Sequence, residues 1–400
     1  MAVRGETPAR GGSAFWNDPR FRSAFFQIVV VAAVVGFGWY LFRNTTANLE
    51  RQGIASGFEF LDSTAGFGII MTLVEYSEES TYGRAFLVGL INTLVVSGLG
   101  IVLATIIGFI VGIARLSPNW LIARMATVYI ETLRNIPLLL QIFFWYFFVL
   151  RSVPSPRNSI SIFDAVFINN RGIYSPKPLF GDGFELIVYA VILAVAGVVL
   201  LYRWARRRQY ATGQQFPVLR TSLGLLVGLP LAGLILAVLI HGGLPLRWEL
   251  PELAGFNFRG GLVLIPEFVS LLLALSIYTA AFIAEIVRAG ILAVSHGQTE
   301  AAHSLGLRDG PTLRLVVIPQ ALRVIIPPLT SQYLNLTKNS SLAAAIAYPE
   351  LVSVFAGTVL NQTGQAIEVI GITMAVYLTI SLVISMFMNW YNRKMALVER

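Results

Sequence analysis

The stretch EAAHSLGLRDGPTLRLVVIP, Glu300 to Pro319, is a polar and charged interruption between two long apolar segments. Just before it, Ser295 and Gln298 have the spacing of a capping box, which predicts the start of a short helix. Gly306 is the residue type that favours the left-handed conformation at a helix end. Asp-Gly-Pro at residues 309–311 predicts a turn whose proline is the first residue of the next helix. The spacing therefore predicts a small helix–turn–helix outside a membrane-embedded body, able to dock into a partner's groove.

The composition predicts a polytopic membrane protein. Of the 400 residues, 56% are hydrophobic and only 12% are charged, whereas about a quarter of a soluble domain is charged. A water-facing globule cannot bury that much apolar surface. The absence of cysteine excludes disulfides and thiolate metal sites, and the three histidines are too scattered for a metal cluster. The net charge of +8 is explained by cytoplasmic loops, so no nucleic acid is expected as a partner.

The apolar segments predict an all-α polytopic membrane protein with about eight transmembrane helices. The predicted spans are approximately residues 25–42, 85–114, 129–150, 185–202, 221–240, 268–287, 324–347 and 369–390. In the second span, the Gly-x-x-x-Gly pattern of Gly108 and Gly112 indicates close helix packing. In the seventh span, Pro327 and Pro328 predict a kink.

The distribution of basic residues predicts the orientation. The tails and loops that the predicted spans place on the same membrane side as the amino terminus hold roughly twice as many lysines and arginines as the loops on the opposite side. The bias places both termini and residues 295–319 in the cytoplasm. We therefore expect a multi-pass membrane protein with this orientation.

The polar stretch also resembles a known motif. Glu300, Ala301 and Ala302, then Gly306, then Val-Val-Ile-Pro at residues 316–319, resemble the EAA loop of ABC importer permeases. Residues 282–290 (FIAEIVRAG) and 296–298 (HGQ) are similar to the polar amino acid (histidine/glutamine-type) permease family. The resemblance implies a cytoplasmic loop at about residues 295–319 that couples to an ATPase. The implied coupling residues are Glu300, Ala301, Ala302, Gly306, Ile318 and Pro319.

The resemblance implies a type I ABC importer transmembrane fold that works as half of a dimeric translocation pore in the bacterial inner membrane. The implied partners are two copies of an ABC ATPase subunit, a second permease (a homologue or a copy of this chain), and a periplasmic amino-acid-binding protein. None of the three lysines, Lys177, Lys338 and Lys394, follows a glycine, so the chain carries no Walker A loop. We therefore expect ATP to bind a separate subunit and this chain to carry no cofactor and catalyse no reaction.

The resemblance covers residues 85–150 and 264–400 of a permease domain that we assign to residues 85–400, with core helices at about 85–150 and 264–390. Residues 1–84 are predicted as a cytoplasmic tail, a first transmembrane helix and a periplasmic loop. Residues 151–263 form an inserted region. Both additions resemble the general L-amino acid subgroup, in which two different permeases pair, so a heterodimer is favoured.

Two acid–base pairs have a spacing of three residues, which places both members on one helix face. Glu131 and Arg134 are interpreted either as an ion pair within one helix or as contacts of the substrate at the cytoplasmic mouth. Glu285 and Arg288 repeat the spacing at the end of the sixth span, where an arginine suits a helix C-terminus at the interface.

Lys338 is the ionisable residue placed deepest in the seventh span, about 20 Å beyond Val324 at 1.5 Å per residue. Intramembrane charges are functional candidates by default. With Asn339, Ser340 and Ser341, it makes a polar patch that suits the carboxylate of an amino acid. The alternative is a structural ion pair with an acid such as Glu131 or Glu350.

Two other classes of function are weighed against the importer permease. A secondary amino acid transporter driven by an ion gradient would use intramembrane acids, for which Glu131 is the candidate. A membrane-anchored enzyme would need a catalytic set, and the sequence shows neither a nucleophile–base pair nor paired catalytic carboxylates.

Overall fold

The computed structural model describes residues 19–51 and 57–395, so residues 1–18 of the predicted tail at residues 1–24 lie outside the described part. The α-helices of the described part are α1 (Pro19–Arg51), α2 (Tyr82–Arg115), α3 (Trp120–Asn135), α4 (Leu138–Ser152), α5 (Phe184–Thr212), α6 (Val218–His241), α7 (Pro266–Leu292), α8 (His296–Ser304), α9 (Asp309–Thr312), α10 (Ile318–Asn339), α11 (Leu360–Thr363) and α12 (Ala366–Met395). Short 3-10 and π-helical segments are Glu59–Asp62, Pro156–Asn158, Leu313–Val317, Ser340–Ile346 and Val352–Val359.

The helices confirm the membrane prediction. Within the described residues, seven helices are long and apolar enough to span a bilayer, and the number is eight if the bent pair α3 and α4 is one span. The third predicted span is therefore not one straight helix. It bends by 108° between α3 and α4, where Ile136 is extended in front of Pro137, as expected for a residue that precedes proline.

The helix that contains the seventh predicted span begins well before the span itself. This helix runs from Asp309 to Ile346, and α10 continues through Pro327 and Pro328 to Asn339 before the chain narrows to a 3-10 turn. Ala347 then adopts a left-handed conformation with φ +57°. Lys338 consequently lies at the end of an α-helix, not in the middle of one.

In the described part of the chain, eight short strands that the sequence did not predict lie in the regions between spans. Their bounds are β1 (Ile160–Ile162), β2 (Val166–Asn169), β3 (Gly172–Ser175), β4 (Lys177–Phe180), β5 (Leu246–Glu249), β6 (Glu252–Ala254), β7 (Asn257–Arg259) and β8 (Leu262–Leu264). A four-stranded sheet has the order β1-β2-β3-β8, and β4 pairs with β5. The segment after α4 and the segment after α6 are therefore joined by antiparallel pairing, with Ile173 opposite Leu264.

Contacts divide the chain into two units, one from the described parts of Met1–Thr93 and Pro349–Met386, the other from those of Leu94–Tyr348 and Phe387–Arg400. The first unit has an aromatic core in which Phe355 lies 6.2 Å from Phe60 and 5.1 Å from Phe86 between ring centroids. In the second unit, α7 is the central helix, since it contacts α3, α4 and α10.

Candidate coupling segment and ion cluster

The predicted polar segment starts where expected, but not with the expected side-chain contacts. The helix α7 ends at Leu292, and α8 begins after Ser295, which is extended at the N-cap position. The predicted capping box is wrong, because the Ser295 side chain makes no capping hydrogen bond. The Gln298 side chain, the other half of the box, instead accepts a hydrogen bond of 3.4 Å from Gln320 Nε2 on α10.

Gly306 ends α8 as predicted. Its φ is +80°, a left-handed conformation that an L-residue with a side chain adopts only at a cost. The Leu307 amide donates to the Ala302 carbonyl at 3.1 Å, and the Gly306 amide donates to the His303 carbonyl at 2.8 Å. These two bonds form a Schellman motif, which satisfies carbonyls at the helix end.

The next helix begins two residues before the predicted position. Because α9 starts at Asp309, Pro311 is its third residue and not its first. The shift is tolerated because amides of the first helical turn have no acceptor within the helix. His303 Nε2 lies 3.2 Å from Asp309 Oδ1, and Ala302 and Thr312 are buried, so α8 and α9 are held together as one small body.

A π-helical turn, Leu313–Val317, joins this body to α10, whose first two residues are Ile318 and Pro319. Such turns widen the helix and recur at functional sites. Residues 295–319 are therefore a compact helical segment with an irregular joint. We call them the coupling segment below.

The outer surface of the coupling segment combines one acid with apolar groups. The Glu300 side chain is 69% exposed, and its carboxylate lies 3.0 Å from His296 Nδ1. Leu305 is 83% exposed, Ala301 is exposed, and Ala302 faces inward. A short helix that presents apolar and charged groups in this way suits a groove on a partner.

Directly before the coupling segment, Glu285 and Arg288 of α7 form an ion cluster with Arg115 of α2 and Glu131 of α3. Glu285 accepts a hydrogen bond of 2.7 Å from Arg288 Nη2 and a short bond from Arg115 Nη1 at the end of α2. Arg115 also lies 3.4 Å from Glu131 on α3. One arginine and two acids therefore join the ends of three helices.

The predicted Glu131–Arg134 ion pair is wrong. Glu131 faces Arg115, while the Arg134 guanidinium lies 5.2 Å from the centre of the Phe282 ring. The spacing of three residues puts both side chains on one helix face, but α2 and α7 supply better partners. Arg115 was missed because the spacing rule examines one helix at a time.

Three glycines bring α7 close to its neighbours. A Cβ atom on Gly108 would lie 2.6 Å from Ile283 Cβ, and one on Gly112 would lie 2.6 Å from the Ala284 carbonyl oxygen. A Cβ on Gly290 would overlap Ile325 of α10. The close packing predicted for Gly108 and Gly112 is confirmed, and Gly290 extends it to the helix on the other side of the coupling segment.

The polar patch around Lys338 is placed at the end of α10. The Lys338 side chain is exposed, and Lys338 forms no ion pair with any residue in 19–51 or 57–395. Asn339 is half-buried. Ser340 is buried, and its hydroxyl donates a hydrogen bond of 2.7 Å to the Thr337 carbonyl. The Ser341 hydroxyl donates 2.7 Å to the Lys338 carbonyl. Lys338 and Asn339 therefore keep free polar groups, while the two hydroxyls are used locally.

Glu350, one acid considered as a partner for Lys338, has a different role. It is fully buried, and its carboxylate accepts hydrogen bonds from the amides of Val352 and Ser353 at 2.8 and 2.7 Å and from Tyr377 Oη at 3.1 Å. These bonds cap the helical segment that starts at Leu351. With Glu131 facing Arg115, neither acid takes the predicted structural role beside Lys338.

A body of apolar spans with one polar helical segment between two of them is the architecture of a multi-pass membrane transport subunit. Residues 100–397 match the family described as "Binding-protein-dependent transport system inner membrane component". The chain belongs to that family. The family assignment confirms the predicted permease resemblance and the type I importer fold, and it decides against a secondary transporter driven by an ion gradient.

Relatives match along almost the whole chain. The putative amino-acid ABC transporter permease protein YhdX of Escherichia coli (strain K12) is 59% identical over 389 residues, 97% of this chain and 98% of the relative. The general L-amino acid transport system permease protein AapQ of Rhizobium johnstonii is 54% identical, covering 96% and 94% of the two chains. BztB of Rhodobacter capsulatus, a permease protein of a glutamate/glutamine/aspartate/asparagine transport system, is 44% identical, with 100% of both covered.

Proposed function

We propose that the chain is a transmembrane permease subunit of an ATP-binding cassette importer that takes up L-amino acids delivered by a periplasmic binding protein. The coupling segment carries this proposal, because it is a helical body between two spans with an exposed acid and an exposed leucine. The three relatives, whose matches cover 94–100% of their lengths, are named for amino-acid transport. The chain itself catalyses no reaction.

The proposed energy source lies in a separate protein. Without a Gly-Lys-Ser/Thr sequence the chain cannot wrap phosphates in a Walker A loop, so ATP binds to two copies of an ATPase subunit. A second permease completes the pore, and the likeness to a general L-amino acid permease favours a homologue over a second copy of this chain. Both termini and the coupling segment face the cytoplasm in this arrangement.

The packing of α7 supports a route for the ATPase's movement. When the ATPase displaces α8, α7 is pulled at Leu292, four residues after Arg288. The ion cluster joins α7 to α2 and α3, and the glycine contacts join it to α2 and α10. Since packed helices move as rigid bodies, the displacement shifts four helices together and switches the pore between inward- and outward-facing states.

Along the proposed pathway, Lys338 and Asn339 offer a cation and an amide to the carboxylate and amino groups of the transported amino acid. Ser340 stabilises the turn and does not contact the substrate, because its hydroxyl donates a hydrogen bond to the Thr337 carbonyl. At the other end, Arg134 offers a second cation, which is stacked on an aromatic ring and is not paired with any acid that the structure describes, and Glu131 lies on the same helix. These contacts deepen the proposal and are tested separately from the coupling segment.

The experiment uses the purified transporter complex in proteoliposomes with binding protein outside and ATP inside. Uptake of radiolabelled amino acids and ATP hydrolysis are measured together. The Glu300→Arg and Gly306→Asp variants should insert normally and hydrolyse ATP, but uptake should fall by at least ten-fold because docking of α8 is disturbed. The matched control is Gly297→Asp, since Gly297 lies in the same helix without a positive φ and has open space at its Cβ. Wild-type uptake by both variants would contradict the proposal.

A further inference from the structure

The helices α5 and α6 form an arm that packs mainly on itself. Extensive contacts join α5 to α6, and few residues of either helix are buried. Small residues face the seam: Ala194, Gly233 and Ala237 are buried, and a Cβ on Gly233 would lie 2.8 Å from Ala190 Cβ. Small residues of this kind let two membrane helices approach closely.

The outer faces of the arm are apolar and exposed. Ile192 is 60% exposed, Leu200 63%, Leu239 75% and Ile235 54%. Both helices are long and apolar enough to cross a membrane. Lipid is the medium that covers such faces, so the turn between α5 and α6 meets lipid headgroups at one membrane surface.

This turn is strongly basic. Arg203, Arg206, Arg207 and Arg208 occur within six consecutive residues, and Arg220 follows in the first turn of α6. The sequence contains no Asp or Glu between Glu185 and Glu249. None of these five arginines forms an ion pair with any residue that the structure describes. Within residues 19–51 and 57–395, no acid therefore compensates this charge.

The arginines are arranged in two groups. Arg203, Arg206 and Arg207 are exposed, and their spacing of three and four residues puts them on one helix face. Arg208 is used internally, because its guanidinium lies 5.4 Å from the centre of the Trp204 ring and donates 3.2 Å to Gln214 Oε1. The face made by the first three arginines is named the arginine face.

Aromatic side chains surround the arginine face at the same level. Trp204 stacks edge-on against Phe216 across the turn at 5.2 Å, and Tyr210 lies 5.8 Å from the guanidinium of Arg206. Trp and Tyr prefer the headgroup region of a bilayer. The arrangement therefore matches the depth of the lipid phosphates and not that of the aqueous phase.

The turn lies on the same side of the membrane as the coupling segment. From Thr212 the chain crosses once through α6 and once through α7 before it reaches Ser295. Two crossings return the chain to the starting side. The lipids that meet the arginine face therefore belong to the leaflet nearest the coupling segment.

We propose that the arginine face is a binding site for the phosphates of anionic phospholipids in that leaflet. Three adjacent guanidinium groups bind phosphate oxygens by charge-assisted, bidentate hydrogen bonds, and clusters of Lys and Arg beside a membrane helix attract anionic headgroups. The sequence between Glu185 and Glu249 contains no acid that could compete for these arginines, although Arg206 Nη2 donates a long hydrogen bond of 3.5 Å to Tyr210 Oη. The lipid would anchor the arm beside the permease body.

The test compares two triple variants in the intact transporter complex. R203Q/R206Q/R207Q removes the arginine face, and R157Q/R171Q/R259Q removes three exposed arginines from the β-structured regions on the other membrane side. Each complex is placed in nanodiscs of equal phosphatidylglycerol and phosphatidylcholine, and native mass spectrometry counts the lipids that remain bound. Each arginine contributes roughly five-fold to the preference for the anionic lipid. The preference for bound phosphatidylglycerol should therefore fall at least ten-fold in R203Q/R206Q/R207Q, and it should equal that of the wild type in R157Q/R171Q/R259Q.

The conservative variant R203K/R206K/R207K keeps the charge and should retain most of the preference, which separates lipid binding from a folding defect. Equal retention of phosphatidylglycerol by the two triple glutamine variants would overturn the proposal, as would a wild type without preference. If the arginine-face variant keeps its lipids but loses the ATPase during purification, the arginines bind a protein surface and the lipid site is wrong.

Discussion

Replacing Gly112 by alanine tests the packing that joins the coupling segment to the membrane helices. The new Cβ would lie 2.6 Å from the Ala284 carbonyl oxygen and 2.8 Å from Val287 Cβ. A backbone carbonyl in the middle of α7 cannot rotate away, so the two helices must separate by several tenths of an ångström. Gly98 in the same helix is the matched control, because it has no atom within 4 Å of the position of a Cβ.

The expected magnitude combines two effects. Overpacking of a tight contact costs about 2 kcal/mol, and the better helix propensity of alanine returns up to about 1 kcal/mol. Gly112→Ala should therefore destabilise by about 1 kcal/mol, whereas Gly98→Ala has only the favourable effect. The two variants should differ by about 2 kcal/mol, which corresponds to roughly 2 °C in the midpoint of thermal unfolding for a protein of this size.

The assay is thermal unfolding in detergent followed by tryptophan fluorescence, which the seven native tryptophans supply. Uptake in proteoliposomes is measured on the same preparations. Gly112→Ala should unfold at the lower temperature and transport more slowly, and Gly98→Ala should do neither. Equal melting temperatures for the two variants would refute the view that α2 and α7 are in tight contact at this glycine.

Three further predictions follow from the same structure. Lys338→Met should keep the melting temperature and basal ATP hydrolysis of the complex, because Lys338 is exposed and unpaired within the described residues. The variant should nevertheless reduce uptake at least ten-fold, and normal uptake in a stable variant would refute contact of Lys338 with the substrate. Glu285→Gln should lower the free energy of unfolding by about 1–3 kcal/mol, between the values for an exposed and a buried ion pair, because the Glu285 side chain is 25% exposed and contacts two arginines. The control Glu131→Gln changes a side chain that is 56% exposed, and it should unfold almost like the wild type. An unchanged melting temperature of the Glu285 variant would remove the ion cluster from the coupling route. Single cysteines in this cysteine-free chain should be labelled from the cytoplasmic side at positions 207 and 303 and from the periplasmic side at positions 78 and 160, and external labelling of position 207 would contradict the topology.

The coupling segment shows which features sequence can predict. The prediction that Gly306 ends α8 is confirmed, since its φ is +80°. Such a helix end can be predicted because the left-handed conformation favours glycine at that one position, whatever the rest of the chain does. The start of α8 was also correct. Its capping box was not, because Gln298 bonds to Gln320 of α10, and a contact with a residue of another helix is not encoded in local spacing.

The ion pairs show the same limit. Glu285 and Arg288 pair as their spacing allows, but Glu131 and Arg134 do not, because Arg115 and Phe282 approach from other helices. The strands were missed for a related reason. Each has only three or four residues. Because all of α5 and α6 lies between β3 and β8 in the sequence, neither periodicity nor neighbouring sequence predicts that these two strands pair.

Contact between the coupling segment and an ATPase is the central claim, and site-specific photocrosslinking tests it most directly. A photoreactive amino acid replaces Leu305, which is 83% exposed on the coupling segment, and as a control it replaces Phe163, which is 98% exposed between β1 and β2 on the other membrane side. In the assembled complex, the position of Leu305 should crosslink to the ATPase and that of Phe163 should not. Failure of position 305 to crosslink to the ATPase, or equal crosslinking from position 163, would contradict the account.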